Sequence, residues 1–108
     1  MQLLAQKITD KDIKDKLLKV MADSYSRKIL ERVSECSKSA NEITTETGIP
    51  VSTVYRRIQF LVDAQLLSIS GEITEEGKKF FLYKSKINGM SSSFNGNELE
   101  VSITPNYR

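Results

Sequence analysis

Side chains able to do chemistry are unevenly spread through this 108-residue sequence. It holds no histidine and one cysteine, Cys36. The usual general base near neutral pH is therefore missing. One copy cannot assemble a soft-metal site from Cys and His, and no internal disulfide is possible. No Gly-rich phosphate loop and no paired-carboxylate motif is visible. Catalysis is thus the least supported class, and no cofactor or metal is expected. What remains is polar and cationic. Ser52, Thr53, Tyr55, Arg56, Arg57 and Gln59 crowd into eight residues, and Lys78, Lys79, Lys84 and Lys86 fall in nine residues that hold no acid.

Those residue types suit nucleic acid. Arginine matches guanine O6 and N7 with two parallel bonds, glutamine matches adenine, and serine or threonine bonds bases or phosphates. Lysines supply sequence-independent attraction to phosphate. Each has a plain counterpart: two adjacent arginines also suit a solvated helix face, and lysine on an edge strand also prevents aggregation. The elements that carry them decide between the two.

Four helices are expected before any strand. The first spans about 9–22, opened by Thr9 and Asp12 as a capping box, with Ile13, Leu17, Val20 and Met21 on one face. The second, about 24–36, starts at Asp23 or Ser24, and its stripe is Tyr25, Ile29, Leu30 and Val33. Cys36 extends it as a small buried hydrophobe rather than a redox switch. Ser39-Ala40-Asn41-Glu42 is a capping box for a short third helix that Gly48 closes in the left-handed region. Pro50 pushes Ile49 out of helical conformation and then opens a fourth helix, Val51 to about Ala64. On a wheel of about 100° per residue, Val51, Val54, Ile58, Leu61 and Val62 lie inward. Ser52, Thr53, Arg56, Gln59 and Asp63 lie outward, with Tyr55 and Arg57 on the flanks. This splits the arginine pair: Arg56 for a base, Arg57 for a phosphate. Phe60 also points outward, which a core pattern does not explain.

After Leu66 the period changes to two. Leu67–Ser70 reads as a strand, 71–77 as a turn, and Lys78–Met90 as one long strand bent or bulged at Asn88-Gly89. Phe94-Asn95-Gly96-Asn97-Glu98 signals a hairpin of type I′, followed by alternation from Glu98 to Thr104. The expected fold is α+β, mainly α with a small antiparallel sheet: helices at 9–22 and 24–36, a helix-turn-helix at 39–64, a β-wing at 67–88 and a C-terminal hairpin at 90–104. The short helix, Gly-containing turn and longer helix form the helix-turn-helix layout, and the hairpin after it is a wing. Tyr25, Phe80, Phe81 and Tyr83 are assigned to core or interface.

Totals bound the rest. Hydrophobic residues at 39% and charged residues at 28% fit one ordinary globular domain over 1–108. Sixteen basic against fourteen acidic residues permit nucleic-acid binding without arguing for it. No apolar run is long enough to span a membrane, and the opening MQLLAQKITDKD turns polar too soon for a signal peptide. With one cysteine, this points to the cytoplasm.

Three stretches carry a family resemblance. MADSYSRKIL (21–30) resembles the second-helix signature of the ArsR-like winged-helix transcriptional regulators. SANEITTETGIPVSTVYRRIQFLVDAQ (39–65) resembles their helix-turn-helix. FFLYKSKINGMSSSFNGNELEVSITP (80–105) is similar to the strand-hairpin ending of archaeal-type members. The resemblance implies a cytoplasmic homodimer that binds double-stranded DNA and regulates transcription, with pairing through the first helix and the C-terminal elements. It implies base reading by Ser52, Thr53, Arg56 and Arg57, with Tyr55 and Gln59 beside them; phosphate contact by Lys78, Lys79 and Lys84 is expected from the locally basic run itself. Two recognition helices of a dimer would lie about 34 Å apart. The chain departs from the pattern in lacking the Cys and His ligands of metal-sensing members. Gln65 also replaces the Gly more usual before the strand. A second reading is a winged-helix module that docks on proteins of the transcription or replication machinery, for which an exposed Phe60 would be the anchor.

Overall fold

The computed structural model describes residues 5–107. Met1–Leu4, part of the stretch read above for a leader, and Arg108 lie outside the described residues. The chain runs β1 (Gln6–Ile8), α1 (Lys11–Ala22), α2 (Ser24–Arg32), α3 (Ala40–Thr47), α4 (Val51–Asp63), β2 (Leu67–Ile73), β3 (Lys79–Ser85), β4 (Ile87–Phe94) and β5 (Leu99–Pro105). The described residues form an α+β fold of four helices with small antiparallel sheets. No helix among the described residues is long and apolar enough to cross a membrane.

Helix starts follow local hydrogen-bonding chemistry. The first helix begins one residue later than Thr9 would place it: Asp10 caps it, its carboxylate accepting from the Ile13 N–H at 3.0 Å. Asp23 caps α2 by accepting from the Ser26 N–H at 2.9 Å and the Ser26 hydroxyl. Ser39 and Glu42 make the full reciprocal box at α3. The second helix stops at Arg32, short of the expected 36, so Cys36 sits in a loop and is exposed rather than buried.

Leu17, Val20, Ile29, Val33, Ile43, Val54, Ile58, Leu61, Leu66 and Val101 fill the centre between the helices and β5. Of the aromatics assigned to core or interface, Tyr83 alone is buried; Tyr25, Phe80 and Phe81 are exposed. At the end of α4, Leu66 N–H donates to the Leu61 carbonyl and Gln65 N–H to that of Val62, both at 2.9 Å. This is a Schellman stop, with Leu61 and Leu66 both buried beneath it. It needs a left-handed residue, and Gln65 supplies it at φ 63°.

The strands divide into two groups rather than one. β2 and β3 form an antiparallel hairpin, with Leu67 opposite Ser85 and Ile73 opposite Lys79. Lys38 and Tyr83 exchange backbone bonds of 3.0 and 2.8 Å, fastening the chain before α3 to that hairpin. The second sheet has the order β1-β5-β4. β1 was not foreseen: its three residues carry no hydrophobic alternation and owe their conformation to pairing with β5. The long strand expected over 78–90 is broken at Lys86, where the chain passes from one sheet to the other. The register shift between Ile87 and Gly89 places a bulge at Asn88, as the sequence suggested. The β4–β5 connection is a four-residue loop after Phe94 in which only Gly96 has positive φ, so it is not a type I′ turn. That turn needs two consecutive left-handed residues.

Candidate nucleic-acid interface

The α3–α4 connection is built from three residues with separate tasks. Gly48 ends α3 at φ 76°, Ile49 is buried as an anchor, and Pro50 at φ −56° precedes the first turn of α4. α4 then seals its inner face with Val54, Ile58 and Leu61, all buried. Its outer face presents Ser52, Tyr55, Arg56 and Gln59 to solvent, with Thr53 half-buried at the edge. Arg56 has no hydrogen-bond or ion-pair partner among the described residues. Gln59 is not idle, since its amide donates to Asp63 one turn on at 3.1 Å. Unlike α1, α2 and α3, this helix has no side-chain cap. Its first N–H groups are therefore left for solvent or an anion.

Arg57 is placed differently from the sequence expectation. Its Nε donates to Asp23 Oδ2 at 2.7 Å and its Nη2 to Oδ1 at 3.4 Å, while the guanidinium lies 5.8 Å from the Tyr25 ring centroid. Both charged side chains are about two-thirds buried (32% and 28% exposed). Arg57 thus latches α4 to the start of α2. Partial burial pushes the Asp23 carboxyl upward, but bonds from Ser26 and Arg57 together outweigh it and hold the group below its ordinary range. Sequence reasoning identified Asp23 as a cap and put Arg57 on the helix flank. The missing link was that a flank residue of α4 meets the start of α2.

The hairpin lysines do not form one stripe. Residues paired across β2–β3 share a face, so Lys79 lies with Ile73, Gly71, Phe81 and Ile69, whereas Lys84 lies opposite Ser68 on the other face. Lys79 Nζ stacks over Phe81 at 5.3 Å, and Lys78 follows a tip that carries Glu75 and Glu76. Tyr83 is buried at the hairpin base. Burial pushes its hydroxyl upward, and the Tyr55 phenol of α4 adds to that shift. The structure brings Ser52, Tyr55, Arg56 and Gln59 together on one helix, and it divides the lysines between two hairpin faces.

Two helix-wheel assignments change, one from each face. Val51 is exposed at 41%, because the first turn of α4 projects past the core. Phe60 is half-buried and packs against the core instead of standing outward. A ring reaches inward from a position on the wheel where a shorter side chain would stay in solvent. No protein-family model and no curated protein matches the chain.

Proposed function

We propose that this chain is a winged-helix transcriptional regulator that binds double-stranded DNA, with α4 as its recognition helix and β2–β3 as its wing. The observation that carries this reading is the outer face of α4. It offers Arg56, without a partner among the described residues, beside Ser52, Tyr55 and Gln59, at a helix start without a side-chain cap, and it carries no large aliphatic side chain beyond Val51. Such a face suits base edges and phosphates. In this reading Arg56 and Ser52 read bases, Thr53 and the first N–H groups of α4 contact phosphate, and Lys78, Lys79 and Lys84 add attraction from the wing. Arg57 acts indirectly, by fixing the angle of α4.

Protein docking is the second reading, and it now rests on a different surface. The inward packing of Phe60 removes its anchor on α4, while Ile69, Ile73 and Phe81 leave an apolar strip on one hairpin face, exposed at 50%, 71% and 46%. Selection of bound fragments from a random DNA pool separates the two. The DNA reading expects an enriched motif and affinity that falls steeply with salt, by about 0.9 log units per log unit of salt for each phosphate contact. Arg56→Ala should cost about 1–3 kcal/mol on the selected site. Absence of enrichment over bulk DNA, with no salt dependence, would refute it.

A further inference from the structure

We infer that two copies of this chain pair through β4, edge to edge and antiparallel, each inserting Phe94 into a groove of the other. Three observations converge on that strand. First, β4 has a strand on one side only among the described residues, because the sheet order is β1-β5-β4. Its eight residues, INGMSSSF, include no charge and no proline. Edge strands that avoid pairing are normally short, charged or broken by proline. β1, the opposite edge, follows that rule with three residues and Lys7, which is tied to Glu100 at 3.1 Å.

Second, Phe94 is 70% exposed at the end of this edge. It lies opposite Leu99, as Met90 lies opposite Ile103, and Leu99 and Ile103 pack on the core. Phe94 therefore stands on the helix-facing side of the sheet, with nothing among the described residues covering most of its ring. Third, a groove of about 410 Å³ runs between α2 and the first half of β4, with Met21, Leu30, Ile87 and Met90 among its lining. The bulge at Asn88 lets Ile87 and Met90 both face it, and two methionines make an adaptable wall.

Antiparallel pairing of β4 with its own copy is two-fold symmetric, and paired residues must share a face. Met90, Ser92 and Phe94 face one way and Ser91 and Ser93 the other, which limits the dyad to a residue position such as Ser91 or Ser92. Either choice brings the partner copy's ring beside Met90 or the bulge, where the groove opens. Two rings, each 70% exposed in one copy, bury about 200–350 Å² of the roughly 1,000 Å² that a specific interface should clear. The paired strands supply the remainder and make a continuous six-stranded sheet. Only the use of this dimer, holding two α4 helices for a two-fold DNA site, rests on the proposed function.

Sedimentation equilibrium of the full chain, without DNA, tests the pairing. The expected mass is twice the 12.2 kDa of one chain. Phe94→Ala should weaken the dimer at least about tenfold while the diluted protein keeps its melting temperature, since the ring is exposed in one copy. Ser91→Lys should do the same by charging the edge. In a Cys36→Ser background, either Ser91→Cys or Ser92→Cys should cross-link on mild oxidation, whichever lies on the dyad. A monomer at about 100 µM, well above typical dimer constants, would overturn the inference. So would a dimer that survives Phe94→Ala and Ser91→Lys combined. A dimer without DNA affinity would leave the pairing intact and refute the proposed function, whereas monomeric DNA binding would do the reverse.

Discussion

Replacing Arg57 by alanine should damage the fold more than any direct contact with DNA, and the size of the damage follows from its partner. Exposed ion pairs contribute about 0.2–1 kcal/mol, whereas breaking a buried one costs about 3–5 kcal/mol. Arg57 and Asp23 lie between these limits, with one strong bond of 2.7 Å and a marginal second of 3.4 Å. The Tyr25 ring, 5.8 Å away, adds a few tenths at most. Arg57→Ala should therefore cost about 1–1.5 kcal/mol, or about 5–10 °C in melting temperature for a chain this size. Asp23→Ala removes the same pair and also the α2 cap, so about 2–2.5 kcal/mol is expected. Urea unfolding of the two single variants, the double variant and the parent gives the coupling. It should be about 0.5–1 kcal/mol, because the pair is lost only once. Additivity within about 0.3 kcal/mol would refute the latch. An Arg57→Ala protein of unchanged stability that loses salt-dependent DNA affinity would show instead that Arg57 works on phosphate.

The latch also has an acid signature. The Asp23 carboxyl titrates lower in the folded chain than in the unfolded one. Its contribution is therefore complete above the unfolded carboxylate value of about 3.9 and is lost as pH falls through the folded value. Asp23→Asn keeps a good cap and removes the charge. The parent's advantage over this variant should be constant from about pH 7 to 5 and shrink below about pH 4, as urea midpoints would show. Gln65→Gly should stabilise the protein by about 0.5–1 kcal/mol, since glycine relieves the left-handed backbone at φ 63°. Gly48→Ala should cost about 1 kcal/mol from conformation alone, because a Cβ there meets nothing within 4 Å. Leu61→Ala, by contrast, empties a fully buried site beneath the α4 stop and should cost about 3–4 kcal/mol by thermal or urea unfolding.

Local chemistry made the helices legible, and pairing at a distance hid much of the rest. Asp23, the Ser39–Glu42 box and Gly48 act within four residues, so their types alone locate the start of α2, both ends of α3 and the turn. The inner face of α4 was legible through Val54, Ile58 and Leu61 for the same reason, a period of 3.6 against one core. β1 was not, because Gln6–Ile8 becomes a strand only through β5, some 95 residues later. The break at Lys86 was hidden as well: Lys78–Met90 reads as one strand until the two halves find different partners.

The candidate site divides along the same line. Solvent exposure of Ser52, Arg56 and Gln59 follows from the helix wheel, but the fate of Arg57 depends on where the start of α2 lies in space. Arg56 and Arg57 are adjacent and chemically identical, and the helix wheel separates them only as outer face and flank, the first expected on a base and the second on a phosphate. In the fold they differ by one carboxylate. Asp23 satisfies Arg57, while Arg56 has no partner among the described residues. An unpaired arginine next to a latched one is what a rigid reading head requires, since a contact residue gains from a helix whose orientation is already fixed. If this division of labour is right, reversing the charges, Asp23→Arg with Arg57→Asp, should recover the coupling between the two positions relative to the single charge-reversal variants, though not the α2 cap that Asp23 supplies, and should not recover DNA affinity. The reversed pair keeps the tie between the helices but places a negative charge on α4, next to the phosphates that Arg56 must approach.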